Sequence, residues 1–177
     1  MSLAFLTWAR SPVQPPPASD ARGRNAECVA HKEGVITMSE RNKQVTRRVL
    51  VELFDKGNLD AADELIHPEF VNHEAPPGNP QGPEGLKQTV SWLRGLWGPM
   101  RAEIEDEVCE DDKVAVRVIM HGRHLGEFLG KAPTGKEYAV EHIHIWRLAD
   151  GKVIEHWSVR DDLGQALQLG LIGEQEG

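Results

Sequence analysis

Cysteines, basic runs and long apolar segments are all scarce in this chain. Its only two cysteines, Cys28 and Cys109, show no motif spacing, so neither a disulfide framework nor a cysteine metal site is expected. The formal net charge of -8, with no basic run carrying interleaved aromatics, argues against nucleic-acid binding. These absences favour a protein of the reducing cytoplasm.

The first 37 residues differ in composition from the rest. Their one apolar run, 3–8, is too short to span a membrane, and it lacks the flanking residues of a signal peptide. Three consecutive prolines, 15–17, and scattered arginine and serine predict disorder. Lys32-Glu33-Gly34 is what a purine-rich ribosome-binding sequence would encode, and Met38 follows. Residues 1–37 are therefore interpreted as a disordered or misassigned extension, and 38–177 as the domain.

The first half of the domain has the spacing of helices. From Ser39, a good capping residue, apolar side chains recur at helical spacing as far as Gly57. A second short helix is predicted over 59–66, and a third runs from Pro83 to about Trp97. Between them lie a short extended piece, 67–73, and a loop rich in proline and glycine, 74–82, which is expected over the mouth of a cavity.

After Pro99 the pattern changes to a period of two. It predicts strands over 102–108 and 114–125, a hairpin over 138–162 and a short tail helix or coil over 163–171. Helices followed by an antiparallel meander indicate an α+β fold. We expect a curved antiparallel sheet packed against three N-terminal helices and enclosing a cavity.

The hairpin carries three histidines, His142, His144 and His156. Side chains two apart on a strand share a face, so His142 and His144 point the same way, as do His156 and Ser158. Imidazoles are the side chains best suited to moving protons near neutral pH. If the two pairs face each other, they form one polar cluster on one sheet face.

The turn at Ala149-Asp150-Gly151 decides that arrangement. A two-residue turn would pair His144 with Trp157 and place His156 on the opposite face. A three-residue loop with Gly151 left-handed would pair His144 with His156, and His142 with Ser158. The glycine at the third position favours the second arrangement.

Five short motifs follow one another in a fixed order along the domain. They are Ile66-His67-Pro68-Glu69-Phe70-Val71-Asn72, Gly122-Arg123-His124-Leu125-Gly126, Pro133-Thr134-Gly135, Asp150-Gly151-Lys152-Val153 and Glu155-His156. In this order and at these spacings, the chain from about Arg41 to Leu169 resembles the SnoaL-like polyketide cyclases. These belong to the nuclear transport factor two-like superfamily, so the resemblance implies a cone-shaped α+β barrel.

The resemblance also implies ring closure by an intramolecular aldol step without a metal or an organic cofactor. In that family an aspartate is held to act as general acid and base, supported by a histidine and an asparagine. The asparagine falls on Asn72, the supporting histidine on His144 and a second family histidine on His156. The aspartate falls on Ser158, whose neutral hydroxyl cannot take a carbon-bound proton at pH 7. We therefore expect His144 and His156 to take the acid and base roles.

Further residues are candidates for ligand binding. His142 and Ser158 are expected to hold a polar end of the substrate, and Trp146 and Trp157 to offer flat apolar walls. Asp161, after the last strand, is the candidate to replace the missing carboxylate.

A metal site is an alternative use of the same histidines. The spacing of His142, His144 and His156 also resembles a three-histidine metal site on a sheet. Against it, the family uses no metal, and the alternation turns Glu141 and Glu155 to the other face. We expect no metal and no cofactor.

The sequence thus predicts a cofactor-independent cyclase or isomerase-type lyase that transfers protons next to a carbonyl of a small hydrophobic, polyketide-like substrate. Two alternatives stay open: a non-catalytic binding protein of the same fold, and a hydrolase of an ester, lactone or epoxide. A homodimer or homotetramer is expected, because the sheet face with Ala139, Ile143 and Ile145 would leave apolar surface in water. No nucleic-acid or membrane partner is expected.

Overall fold

The computed structural model of the protein describes residues 37–75 and 78–172. The expected disorder or misassignment of residues 1–37 therefore falls, apart from Thr37, outside the described residues. Along the described chain the elements are α1 Met38–Arg48, a π-helix Val49–Asp55, α2 Ala61–Leu65, β1 Ile66–Asn72, α3 Gly82–Trp97, β2 Arg101–Glu110, β3 Lys113–Arg123, β4 Glu137–Ala149, β5 Lys152–Arg160 and α4 Asp162–Leu169.

The helices lie close to their predicted positions. The cap of α1 is Thr37 rather than Ser39, since the Thr37 hydroxyl accepts a hydrogen bond from the Glu40 backbone N–H at 3.2 Å. The π-helix continues α1 without a break, and Gly57 follows it at a φ of +71°. No helix in the described part of the chain is long and apolar enough to cross a membrane.

The five strands form one sheet in the order β1-β5-β4-β3-β2. Strands β2 to β5 pair antiparallel, as expected, and the α+β class is confirmed. The segment β1, predicted only as an extended piece, joins the sheet parallel to β5. The sheet is therefore mixed. It is curved, but because β1 and β2 remain as its two edges it is not closed into a barrel.

The core lies between the helices and one face of the sheet, here called the inner face. Along β4 every second side chain is buried from Tyr138 to Leu148, and the residues between them are exposed or half-buried. The inner face also receives Val114, Val116 and Val118 of β3, which are almost fully buried. This alternation directs one set of side chains of each strand toward the helices.

The turn between β4 and β5 differs from the prediction. Asp150 and Gly151 form a two-residue turn, with φ of +51° and +74°, and Ala149 pairs with Lys152. Two consecutive residues with positive φ are the mark of a type I′ hairpin turn, which Asp-Gly favours. The predicted three-residue loop was wrong.

One extra residue in β5 then changes the register. Leu148 pairs with Val153, but Arg147 pairs with Glu155, so β5 contains a bulge. Beyond it the predicted pairs of His144 with His156 and of His142 with Ser158 were also wrong. The observed pairs are Trp146 with His156, His144 with Ser158 and His142 with Arg160. The two-residue turn alone would have placed His156 on the opposite face from His144. The extra residue of the bulge reverses this, so His142, His144 and His156 all lie on the inner face.

Candidate active site

A cavity of about 350 Å³ opens between the inner face of the sheet and helices α3 and α4. This volume is within the range of small-molecule sites. Much of its wall is apolar, with Trp92 and Trp97 of α3 among the lining residues. The polar residues that the sheet and its end contribute include Asn72, His142, His144, His156, Ser158 and Arg160.

Asn72, His156 and His144 form a chain of hydrogen bonds in the cavity wall. His156 Nδ1 lies 3.1 Å from Asn72 Oδ1, and His144 Nδ1 lies 2.9 Å from His156 Nε2. The parallel pairing of β1 with β5 places Asn72 opposite His156, and β4 brings His144 from the other side. All three residues are buried. The three residues predicted to be catalytic are thus linked in one hydrogen-bonded chain, with His156 in the middle.

The direction of proton donation follows from the Asn72 end of this chain. The Glu74 backbone N–H donates to Asn72 Oδ1 at 3.1 Å, which identifies that atom as the amide oxygen, a group that only accepts. His156 therefore donates from Nδ1, and in a neutral His156 ring Nε2 is an acceptor. His144 donates to that acceptor from Nδ1. A neutral His144 consequently carries no proton on Nε2.

His144 Nε2 thus carries a lone pair that has no hydrogen-bond donor among the described residues. It is buried, and it makes no hydrogen bond with any described residue. His142 Nε2 is also buried and has no hydrogen-bond partner among the described residues, and the rings of His142 and His144 lie with their centroids 5.6 Å apart. A buried polar atom left unsatisfied costs about 1–3 kcal/mol, so such atoms call for a functional explanation. A proton donor on a ligand would supply the missing partner.

Burial keeps the three histidines neutral. Desolvation, together with a smaller contribution from the charge of Arg160, lowers the pKa of His142 to about 4 and that of His156 to about 3. Desolvation also lowers the pKa of His144 well below its usual range, and the imidazoles of His156 and His142 add to that effect. At pH 7 His144 is therefore unprotonated and available as a base.

Ser158, which the family resemblance places at the position of the aspartate, lies directly across the strands from His144 and lines the cavity. Asp161, the predicted substitute, does not line the cavity. Its Oδ1 accepts a hydrogen bond from the Gly164 backbone N–H at 2.8 Å and caps α4. The expectation that Asp161 replaces the carboxylate is thus not supported.

Two lining residues that the sequence reasoning missed are Arg160 and Asp162. Arg160 Nε and Nη2 donate to the two carboxylate oxygens of Asp162 at 3.2 and 3.3 Å. Arg160 continues the alternation of His156 and Ser158, so the period of two was a signal that could have identified it. Asp162 lies beyond the strand, where no such period applies.

The predicted aromatic walls are placed differently. Trp146 is fully buried, and its ring stacks on that of His156 with centroids 4.0 Å apart, but it does not line the cavity. Trp157 alternates to the outer face of the sheet and stacks on His73 at 4.6 Å. The flat apolar surface of the cavity is instead supplied by Trp92 and Trp97.

The three-histidine metal alternative lacks the required geometry. Within residues 37–75 and 78–172, no group of three or more His, Cys, Asp or Glu side chains is arranged to hold a metal ion. His144 Nδ1 and His156 Nε2 face each other across a hydrogen bond, instead of converging on a common point.

Comparison with known proteins identifies the family. The profile of the SnoaL-like polyketide cyclases matches residues 44–169. The chain belongs to this family. Aklanonic acid methyl ester cyclase DnrD of Streptomyces peucetius is 35% identical over 127 residues, which cover 70% of this chain and 87% of the relative. Nogalonic acid methyl ester cyclase of Streptomyces nogalater is 32% identical over 124 residues, 68% of this chain and 92% of the relative.

The solved structures agree with this membership. TsrD from Streptomyces laurentii has a TM-score of 0.69 at 26% identity, over 78% of this chain and 100% of TsrD. The resemblance inferred from the motifs is confirmed, and the SnoaL-like cyclase fold with it.

Proposed function

We propose that this SnoaL-like protein is a cofactor-independent cyclase, which closes a ring in a polyketide ester by proton transfer at a carbon next to a carbonyl. The observation that carries the proposal is His144 Nε2, an unprotonated nitrogen in the cavity wall without a partner among the described residues. The names of the relatives, which are cyclases of polyketide methyl esters, support the same reaction class.

The reaction begins when His144 Nε2 takes a proton from the carbon next to the ester or ketone carbonyl. The resulting enolate carbon attacks a second carbonyl of the same molecule, so that one carbon–carbon bond forms and that carbonyl becomes an alkoxide. His144 then returns its proton to the alkoxide. Substrate and product have the same atoms, so the step is an isomerisation that consumes no other reagent.

His156 and Asn72 support the base instead of contacting the substrate. Both ring nitrogens of His156 are engaged, one with Asn72 and one with His144. When His144 becomes charged, the hydrogen bond between the rings allows His156 to share the charge, and Asn72 Oδ1 keeps His156 Nδ1–H oriented. This assignment differs from the sequence expectation, in which His144 and His156 shared the acid and base roles.

The low pKa of His144 restricts the substrate. A neutral but weak base removes protons efficiently only from an acidic carbon, such as one flanked by two carbonyl groups. Once the enolate forms, its negative charge raises the pKa of the adjacent His144 and stabilises the ion pair. A polyketide ester in which one carbon lies between an ester and a ketone meets this requirement.

One observation favours a second candidate, a non-catalytic binding protein of the same fold. Ser158 supplies no carboxylate at the position where the family's proton-transfer group is expected. In that case the cavity holds its ligand without turnover, and the histidines serve only as hydrogen-bond partners.

The test compares four proteins on a panel of polyketide methyl esters, with aklanonic acid methyl ester as its first member. They are the wild type, His144→Ala, Ser158→Asp and, as a matched control, His121→Ala, which removes an imidazole from the outer face. We expect wild-type turnover, a loss of roughly a hundredfold or more in His144→Ala, and no loss in the control. Turnover seen only in Ser158→Asp would support the binding protein, and turnover unchanged in His144→Ala would refute the base.

The pH profile of Ser158→Asp adds an independent readout. If His144 is the base, a carboxylate across from it favours the protonated imidazole and raises the pKa of His144. The acidic limb of the rate profile then moves to higher pH than in the wild type. A profile that stays in place while the rate rises would assign the proton transfer to the new carboxylate.

A further inference from the structure

We propose that Arg160 and Asp162 form an exchangeable anion site in the cavity, in which Arg160 releases Asp162 and binds an ionised oxygen of the ligand. The ligand class is a flat apolar molecule carrying one delocalised oxygen anion, such as an enolate, phenolate or carboxylate. The inference deepens the proposed function and rests on it for the position of the reacting carbon, whereas the anion site itself rests on charge and geometry.

The charges of the cavity point to Arg160. It is the one permanent cation among the described residues that line the cavity, in a chain of net charge -8. The carboxylates of Glu74 and Asp162 line the same space and would repel an anion. The three histidines that line the cavity are neutral, so they do not offset this repulsion. Affinity for an anionic ligand must therefore come from Arg160.

The ion pair between Arg160 and Asp162 is one that a ligand can displace. Its two contacts, at 3.2 and 3.3 Å, are longer than usual for hydrogen bonds between charged groups. The side chains are 38% and 65% exposed, and ion pairs so open to solvent contribute little stability. The planar guanidinium presents paired N–H donors that match a delocalised oxygen anion as well as they match a carboxylate.

The position of Arg160 also suits the proposed chemistry. Arg160 pairs across the strands with His142, and Ser158, two residues earlier, pairs with His144. Two residues along a strand span about 7 Å, which is the scale of a fused-ring ligand. An anionic oxygen at Arg160 and an acidic carbon at His144 Nε2 are thus compatible with one bound molecule. His142 pairs with Arg160 and lies next to His144, and its Nε2 is also without a partner among the described residues.

Calorimetric titration with two ring-matched probes tests the site without the reaction. The probes are 3-hydroxy-2-naphthoate, an anion, and 3-hydroxy-2-naphthamide, its neutral counterpart. We expect the wild type to prefer the anion by about tenfold, and Arg160→Gln to lose about tenfold in affinity for the anion while the amide changes less than about twofold. Asp162→Asn frees Arg160 and removes a repulsive charge, so it should bind the anion several-fold more tightly.

Affinity for the anion is expected to fall in Arg160→Gln and to rise in Asp162→Asn, and these opposite changes distinguish an anion site from a structural role. Arg123→Gln is the matched control, because Arg123 forms an exposed ion pair with Glu137 outside the cavity and its loss changes the net charge equally. The inference is overturned if the wild type binds both probes equally or binds neither. It is also overturned if Arg160→Gln weakens both probes alike, or if Asp162→Asn weakens the anion.

Failure here is distinguishable from failure of the cyclase proposal. If His144→Ala abolishes turnover but the probes show no dependence on Arg160, the cyclase stands and the anion site is refuted. If the probes respond as expected but turnover does not depend on His144, the anion site stands and the cyclase is refuted.

Discussion

The two faces of strand β4 place neighbouring residues in opposite environments. On the inner face His142 and His144 are only 8% and 6% exposed, whereas Ile143 and Ile145 between and beyond them are 47% and 39% exposed on the outer face. This reverses the usual preference, which buries isoleucine and solvates histidine. The buried side chains of β4 thus include the polar groups of the cavity, whereas the exposed ones include apolar residues that predict contact with another surface.

Histidines on the two faces differ in their hydrogen bonds as well. His121 on the outer face has its Nε2 within 3.1 Å of Glu103 and 2.8 Å of Arg101, so surface partners occupy this nitrogen. His144 has its Nδ1 engaged and its Nε2 free of described partners. A free nitrogen on a neutral ring is what a base requires. Burial alone would not leave Nε2 unprotonated, because the hydrogen bonds from His144 through His156 to Asn72 determine which ring nitrogen of His144 carries the proton.

The largest expected effect is that acid destabilises the fold through the buried histidines of the inner face. The folded pKa values of His142 and His156, about 4 and about 3, lie below the unfolded value of 6.5. The unfolded chain therefore binds more protons between these values, and the stability that is fully present above pH 6.5 is lost as the pH falls. From pH 7 to pH 5 these two histidines should cost roughly 4 kcal/mol of unfolding free energy, and His144 adds to the loss.

Urea denaturation at pH 7, 6 and 5 measures this loss. The variant His142→Asn removes one of the buried imidazoles and should reduce the acid-induced loss by about 2 kcal/mol. If the wild type keeps its full stability at pH 5, the histidines are not neutral and desolvated in solution.

Removing one tryptophan from each side of the sheet should give a smaller but clear contrast. Trp146 is fully buried against His156, so Trp146→Ala should cost about 3–5 kcal/mol through lost burial and the cavity left behind. Trp157 is half-buried on the outer face, and Trp157→Ala should cost clearly less. Chemical denaturation of both variants at pH 7 measures the difference. Equal losses would mean that the outer face is packed as tightly as the inner one.

Much of this architecture could be predicted from the sequence, because it depends on near neighbours. Periodicity predicted the helices, and the alternation along β4 predicted a shared inner face for His142 and His144. The parallel contact of β1 with β5 was missed, since Asn72 and His156 are 84 positions apart and no local pattern signals their pairing. The resemblance to a family, and not the periodicity, brought Asn72 into the candidate site.

The hairpin register shows how a correct result can follow from a wrong step. The bulge in β5 depends on packing of the whole hairpin, and nothing in the local sequence marked it. The shared face of His144 and His156 was right although the predicted pairs were wrong. Arg160 was within reach of the same alternation, whereas the placement of Glu74 depends on a loop conformation that sequence patterns do not determine.

Association through the outer face is the next expected effect. A row of Val108, Ala115, Ile145 and Trp157 crosses four strands in register on that face. Covering an isoleucine from water contributes about 1.5–3 kcal/mol, so Ile145→Lys should convert a homodimer or larger oligomer to monomer at micromolar concentration. Light scattering measures the mass, with Leu163→Lys on α4 as an exposed apolar control. A wild type that is monomeric at these concentrations would contradict the prediction.

The smallest effect concerns one polar contact from each face. Arg117 Nη1 donates to Glu141 Oε1 at 3.3 Å on the outer face, with both side chains over 40% exposed, and such pairs contribute about 0.5 kcal/mol or less. His156 Nδ1 and Asn72 Oδ1 form a buried contact of similar length, where removal of Asn72 leaves a donor unsatisfied and costs about 1–3 kcal/mol. Double-mutant cycles for the two pairs, measured at a protein concentration low enough to keep monomers, compare them directly. If the coupling of Arg117 with Glu141 instead exceeds about 1 kcal/mol, that pair is shielded from water within a single domain. The outer face would then be closed by its own side chains, and association would no longer be needed to explain its exposed isoleucines.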